Sequence, residues 1–169
     1  MEYSLRDFRA EDFEALWSID QRCFVPGIAY SRRELAAYIR RRGSFTVVAR
    51  SAAVNGNQPG RGAGDASGIV GFIVAEASRR GVGHIISVDI LPENRRSGLG
   101  STLLATAEDR LRAADCHAVT LETAVDNTSA LAFYKRHQYS VTKIIPRYYL
   151  NGVDAFVLEK DLLAQPERR

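Results

Sequence analysis

The chain has 169 residues, 46% of them hydrophobic and 25% charged. At this size about 70% of the unfolded surface can be buried, which excludes wholesale disorder, a fibrous repeat and dependence on disulfide staples. The net charge of +3 is too small to demand a polyanionic partner, so direct nucleic-acid binding is not expected.

In chain order, Tyr3 to Phe8 alternate polar and apolar, as an edge strand does. From Ala10 the spacing turns helical, with Phe13, Leu16, Trp17 and Asp20 on neighbouring turns and Glu11 and Asp12 at the positive end of the dipole. Val25-Pro26-Gly27 breaks that helix. Ser31 and Glu34 then form a capping box for a second helix, whose Arg40-Arg41-Arg42 end suits the negative end of its dipole. Phe45–Ala49 and Ile69–Ala75 read as strands. Residues 51–68 between them are rich in Gly and Asn, and no helix follows, so a flexible hairpin loop is expected there. A strand at His84–Leu91 leads through a glycine turn into a helix reaching about Ala113. Leu99, Leu103, Ala107 and Leu111 mark the buried face of that helix. A strand at Ala118–Val125, a helix at Asn127–Arg136 and strands at Tyr139–Ile145 and Ala155–Lys160 complete the order β-α-α-β-β-β-α-β-α-β-β.

Cys23 and Cys116 are isolated and read as two small buried thiols. His84, His117 and His137 have no mutual spacing that suggests a metal site, and no metal is expected. The N-terminus lacks a signal-peptide pattern, and no apolar run approaches the ~20 residues of a membrane span. A cytoplasmic protein with no membrane association is the expectation.

The stretch that carries chemistry is Arg95-Arg96-Ser97-Gly98-Leu99-Gly100-Ser101. Two glycines let a ligand approach the backbone, the following helix aims unpaired N–H groups at the same point, and Arg95 and Arg96 add charge. Such a turn suits a diphosphate. A dinucleotide fingerprint would need glycine at Leu103, and a Walker loop would need a lysine here; the chain's lysines are Lys135, Lys143 and Lys160.

Arg95-x-x-Gly98-x-Gly100 after Val88-Asp89-Ile90-Leu91-Pro92 resembles the acetyl-CoA signature of the GCN5-related N-acetyltransferases, the GNAT family. Leu121-Glu122-Thr123, Asn127, Ala130 and Tyr134 resemble a later block of the same family. Ile19-Asp20-Gln21-Arg22, Arg147-Tyr148-Tyr149 and Asp154-Ala155 extend the similarity toward the bacterial ribosomal-protein-alanine N-acetyltransferases, the RimI type. The resemblance implies a single N-acetyltransferase domain over residues 1–169, in an α/β GNAT fold. Its mixed, mostly antiparallel sheet would have about seven strands, with about four helices. It also implies acetyl-CoA as co-substrate, held by Val88, Asp89 and Ile90 through their backbone, by Arg96, Ser97, Gly98, Leu99, Gly100 and Ser101 at the turn, and by Asn127.

Acetyl transfer to an amine requires a base for the ammonium, a donor for the oxyanion and an acid for the thiolate. By resemblance Glu122 is the base and Tyr134 the acid. Pattern alone favours a solvent-facing strand position for Glu122 and an apolar helix face for Tyr134. Asn127 also suits an N-cap. The oxyanion donor is expected to be a backbone N–H near Ile90. As aromatic strand-end residues Tyr148 and Tyr149 suit a cover over the core; by resemblance they would, with Tyr30 opposite, line a slot for a protein's or peptide's N-terminal α-amine, as in a ribosomal protein. Acetylation of a lysine or a small amine, or non-catalytic acyl-CoA sensing, are the alternatives. A monomer or weak dimer is expected. The chain departs from the family at Gln138-Tyr139, where a glycine cap is usual and its lack should make the helix end less favourably. It departs again at Val25–Ile28, where a tryptophan is usual.

Overall fold

The computed structural model describes residues 2–52 and 67–164. Most of the expected Gly-rich loop at 51–68 therefore lies outside the described residues. Seven strands form one sheet: β1 (Tyr3–Asp7), β2 (Ser44–Ser51), β3 (Ile69–Ala77), β4 (Val82–Ile90), β5 (Ala118–Ala124), β6 (Ser140–Ile145) and β7 (Ala155–Asp161). They lie in the order β1-β2-β3-β4-β5-β7-β6, and every neighbouring pair is antiparallel except β4–β5. The edge position expected of the first strand is observed. Four helices, α1 (Phe13–Cys23), α2 (Arg32–Arg40), α3 (Leu99–Ala113) and α4 (Thr128–Arg136), complete the expected element order.

The alternating side chains of the sheet feed two cores. Val47, Ala49, Ile73, Ala75, Val119 and Leu121 pack with the α3 stripe Leu99, Leu103, Leu104, Ala107 and Leu111, and with Tyr134 of α4. Val48, Phe72 and Val74 pack with Ala15, Leu16 and Ile19 of α1 and Leu35 of α2. Each fully buried leucine contributes roughly 1.5–3 kcal/mol, so these stripes fix the helices on the sheet far more firmly than propensity does.

Local chemistry sets the helix starts. Ser31 accepts from the Glu34 amide at 3.3 Å while the Glu34 carboxylate accepts from the Ser31 amide at 2.8 Å, the capping box read from the sequence. Asn127 Oδ1 accepts from the Ala130 amide at 3.1 Å and caps α4. Asp12 has a larger role than helix-dipole charge. It is buried, accepts from the Arg9 amide at 2.8 Å and receives the Arg6 guanidinium on both oxygens at 2.7 and 2.8 Å, tying β1 to the start of α1. That hydrogen-bonded guanidinium holds the Asp12 carboxyl below the usual carboxylate range, although burial opposes the shift.

The end of α4 corrects the sequence expectation of an unfavourable stop. Gln138 takes the left-handed conformation (φ 71°) in place of glycine. The amides of Gln138 and Tyr139 donate to the carbonyls of Lys135 and Tyr134 at 3.1 and 3.0 Å. This is the closed helix ending that glycine normally provides. Tyr139 drives it: its ring lies 5.5 Å from that of Tyr134 and its hydroxyl donates to Glu108 at 2.9 Å, both within the core.

The feature that positions the site is the divergence of two parallel strands. β4 and β5 pair only at Val82–Ala118, Gly83–Val119 and His84–Thr120. Beyond that point β5 keeps β7 as its partner through Ala124, and β4 keeps β3 through Ile90. A wedge opens between them.

Candidate active site

The wedge is a cavity of about 420 Å³. Its walls are Ile85–Val88 of β4 and Leu121–Ala124 of β5, with Asn127, Ala130 and Tyr134 from α4. Val25, Ile28 and Tyr30 after α1 close one side, and Tyr148, Tyr149 and Asn151 from the β6–β7 connection close the other. The two closing segments touch, since the Leu150 amide donates to the Gly27 carbonyl at 3.1 Å. The fold thus gathers Tyr30, Val88, Glu122, Asn127, Tyr134, Tyr148 and Tyr149, all singled out from the sequence, around one space.

Glu122 lies two residues beyond the last β4–β5 pair, where alternation returns its carboxylate to the cavity. It is half-buried, and its Oε2 sits 2.7 Å from Nε2 of His84. The space beside Glu122 is a wedge between strands rather than an open sheet surface. Tyr134 comes from α4 on the other wall and is 9% exposed. Burial pushes its phenol pKa up, so the O–H keeps its proton throughout the neutral range. The reading of Tyr134 as part of an apolar helix face is also correct, because its ring belongs to the α3–α4 core.

Tyr30 is held at three points. Its amide donates to Asp20 Oδ2 at 2.8 Å, its hydroxyl donates to the Ile86 carbonyl at 3.3 Å, and its ring rests 5.1 Å from Tyr38. Trp17, read as a core residue, is half-buried and also steadies this wall by donating from Nε1 to the Tyr30 carbonyl at 3.3 Å. Tyr148 and Tyr149 meet edge to face at 4.9 Å, and burial raises both phenol pKa values. Asp126, exposed beside them, adds a second carboxylate to the lining, which among the described residues holds no lysine or arginine.

The glycine turn follows β4, and its residues lie outside the cavity lining. Gly98 has φ 85°, and a Cβ there would meet nothing within 4 Å, so the backbone is open to a ligand. Gly100 differs: a Cβ would stand 3.3 Å from both Ile90 Cδ1 and Phe133 Cε2. That spacing keeps the first turn of α3 against the end of β4 and the flank of α4. Arg96 and Ser97 are exposed at the turn, while Arg95 Nε donates to the Ile90 carbonyl at 3.0 Å. Leu99 faces the core, so only its backbone is available. Ser101 is in hydrogen-bond contact with His137 Nε2 at 2.9 Å. The other ring nitrogen of His137 donates to the Phe133 carbonyl at 2.8 Å, so in the neutral ring the Ser101 hydroxyl is the donor.

Asp89 is turned away from the cavity. Its carboxyl is fully buried with Ser87 and faces Asp20 of α1, leaving only its backbone for a ligand. Sequence reasoning gave His84 no role, yet it touches Glu122. Its pairing with Glu76 was legible from the tight turn at Ser78–Gly81, whereas its approach to Glu122 depends on the β4–β5 register. Among the described residues, no group of three or more His, Cys, Asp or Glu side chains is arranged to hold a metal ion. No helix among them is long and apolar enough to cross a membrane.

Comparison with known proteins agrees with this geometry. The model of the acetyltransferase (GNAT) family matches residues 11–139, well over half of the sequence. The chain belongs to this family. It is 38% identical over 74 residues to N-alpha-acetyltransferase 30 of Schizosaccharomyces pombe, a stretch covering 44% of this chain and 49% of that protein. The chain spans about half the length of the curated relatives it matches. Its fold is similar to that of Ard1 from Thermoplasma volcanium, with a TM-score of 0.81 and 23% identity over 97% of this chain and 100% of the other. It is similar also to the ribosomal-protein-S18-alanine N-acetyltransferase from Escherichia coli, with a TM-score of 0.75 and 19% identity over 99% of each chain.

Proposed function

We propose that this GNAT-family chain transfers the acetyl group of acetyl-CoA directly to the N-terminal α-amine of a protein. The observation that carries the reading is the meeting of Glu122 and Tyr134 in the lining of one wedge between β4 and β5, with Gly100 of the glycine turn packed against Ile90 at the end of β4. N–H groups at the start of α3 and the exposed Arg96 suit the diphosphate of the co-substrate, while Leu99 and Asp89 contribute backbone only. Beyond His84, the N–H groups of β4 that point toward β5 have no partner in the sheet, and they suit the pantetheine arm and the developing oxyanion.

An α-amine with an ordinary pKa of about 7.7–8.0 arrives mostly protonated near neutrality. Glu122 takes that proton, directly or through one water, and the freed nitrogen attacks the thioester carbonyl. The oxyanion collapses, the C–S bond breaks, and the departing sulfur takes the proton of the Tyr134 phenol. The second proton of the attacking nitrogen passes through solvent to the phenolate, and Glu122 gives the proton it took to solvent. Neither cysteine suits a covalent intermediate: Cys116 is buried in the core, and Cys23 donates to the Ile90 carbonyl at 3.3 Å while burial pushes its thiol up to about 11.

The acceptor enters between Tyr30 and the Tyr148–Tyr149 pair, where two carboxylates and no cation receive a positively charged terminus. A ribosomal protein's N-terminal alanine is the acceptor implied by the RimI-type resemblance, and N-alpha-acetyltransferase relatives share the α-amine with it. The test offers labelled acetyl-CoA with peptides bearing a free N-terminus, the same peptides with a blocked N-terminus and an internal lysine, and a polyamine. Acetylation of free termini alone is expected. Modification confined to the lysine or polyamine overturns the acceptor assignment, and stabilisation by CoA with no transfer to any amine overturns the enzymatic reading.

A further inference from the structure

Glu122 is the inner end of a chain of charged groups crossing three strands. In the β3–β4 register Glu76 stands opposite His84, and in the β4–β5 register His84 stands opposite Thr120, two residues before Glu122. His84 is therefore the last paired residue before the strands diverge, and the next residue on the same face of β5 reaches back to it. Its Nε2 lies 2.7 Å from Glu122 Oε2, and its Nδ1 lies 3.7 Å from Glu76 Oε1. Arg41, which follows α2, holds the same Glu76 carboxylate at 3.2 and 3.3 Å. The His84, Glu122 and Glu76 side chains are 28%, 21% and 19% exposed, so the chain is sheltered without being sealed.

We propose that His84, held by Glu76, is a positioning residue: its Nε2–H fixes one oxygen of Glu122 so that the other oxygen, unprotonated, faces the acceptor amine. This rests on Glu122 being the base in the function proposed above. An ionised carboxylate only accepts, so Nε2 carries the hydrogen in that contact. The second carboxylate, on the Nδ1 side, favours the doubly protonated ring and turns the contact into a charge-assisted hydrogen bond. Burial lowers the imidazole pKa, but the hydrogen bond and charge of Glu122, followed by those of Glu76, outweigh it and leave a net rise. Among the described residues, the titratable or charged groups around the ring are Glu122 on β5 and Glu76 on β3, with Arg41 behind Glu76 and Tyr148 and Tyr149 beyond Glu122.

The test compares wild type, His84→Gln, Glu76→Gln and Glu122→Gln by peptide kinetics from pH 5.5 to 9.5 and by NMR titration of the His84 ring. His84→Gln should lower kcat on the order of ten-fold or more, leave KM for acetyl-CoA within about two-fold and move the acidic limb of the profile to higher pH. Glu76→Gln should move that limb the same way by less. The His84 ring should titrate above an ordinary histidine in wild type and lower in both glutamate variants, a readout that needs no turnover. Limbs and titrations that stay put while only stability falls overturn the positioning role. If Glu122→Gln turns over like wild type, the base assignment fails instead. Should His84→Gln not fold, Glu76→Gln and the ring titration decide the question.

Discussion

β4 touches two carboxyl arrangements of opposite design. On the cavity side, half-exposed Glu122 is paired with an imidazole, and Glu76 stands behind the ring. Toward α1, Asp89 and Asp20 are completely buried and face each other. Tyr30, Gln21 and Ser87 satisfy part of this pair, and Asp20 Oδ1 and Asp89 Oδ2 have no donor among the described residues. Two like charges in so dry a place cannot both ionise cheaply. Burial pushes the Asp20 carboxyl up to about 6, and burial together with the charge of Asp20 pushes Asp89 well above the carboxylate range. The contrast teaches that the partner decides what a carboxyl group on a sheet can do. Beside an imidazole and with solvent within reach, Glu122 has the surroundings that the proposed base requires; facing its own kind in the core, Asp89 is pushed toward its protonated form.

The sharpest way to break the comparison is to exchange the roles by mutation. Glu122→Gln should reduce turnover on the order of 10²–10⁴-fold with CoA affinity unchanged by calorimetry, and Tyr134→Phe should fall in the same range. Asp89→Asn should leave the chemical step intact; a loss of turnover matching that of Glu122→Gln would erase the distinction between the two sites.

Asp89→Asn should instead appear in stability. A carboxyl whose folded pKa is raised stabilises fully below its unfolded value near 3.8, and that contribution is lost as pH rises through the folded value, about 6 for Asp20 and well above the ordinary value for Asp89. Relative to wild type, the variant should gain on the order of 1–3 kcal/mol at pH 8 and much less at pH 5, measured by denaturant unfolding. An equal difference at both pH values would mean that the pair shares no proton. The smallest effect is expected where the two arrangements meet. Tyr30→Phe loses only the hydrogen bond to the Ile86 carbonyl, so stability should fall by about 0.5–1.5 kcal/mol. A rise in peptide KM without a change in KM for acetyl-CoA would place that hydroxyl on the acceptor side.

Elements with a local cause were legible in the sequence. The Ser31–Glu34 box, the Asn127 cap, the α3 stripe and the glycine turn all form where their residue patterns place them, because each is settled within a few residues of chain. Gln138 shows the limit. Local propensity argued against a clean helix ending, but the burial of Tyr139 beside Tyr134 and Glu108 imposes the left-handed turn. Tertiary packing outweighs a cost of roughly 1–2 kcal/mol.

The order of strands and helices, the family and the position of the glycine turn were legible from sequence alone, since periodicity, caps and glycine spacing are written along the chain. The early parting of β4 from β5, the contact of His84 with Glu122 and the confrontation of Asp20 with Asp89 were decided only in three dimensions. They join residues 38 or 69 positions apart in sequence through the register of strands and the seating of a helix, which no local pattern encodes.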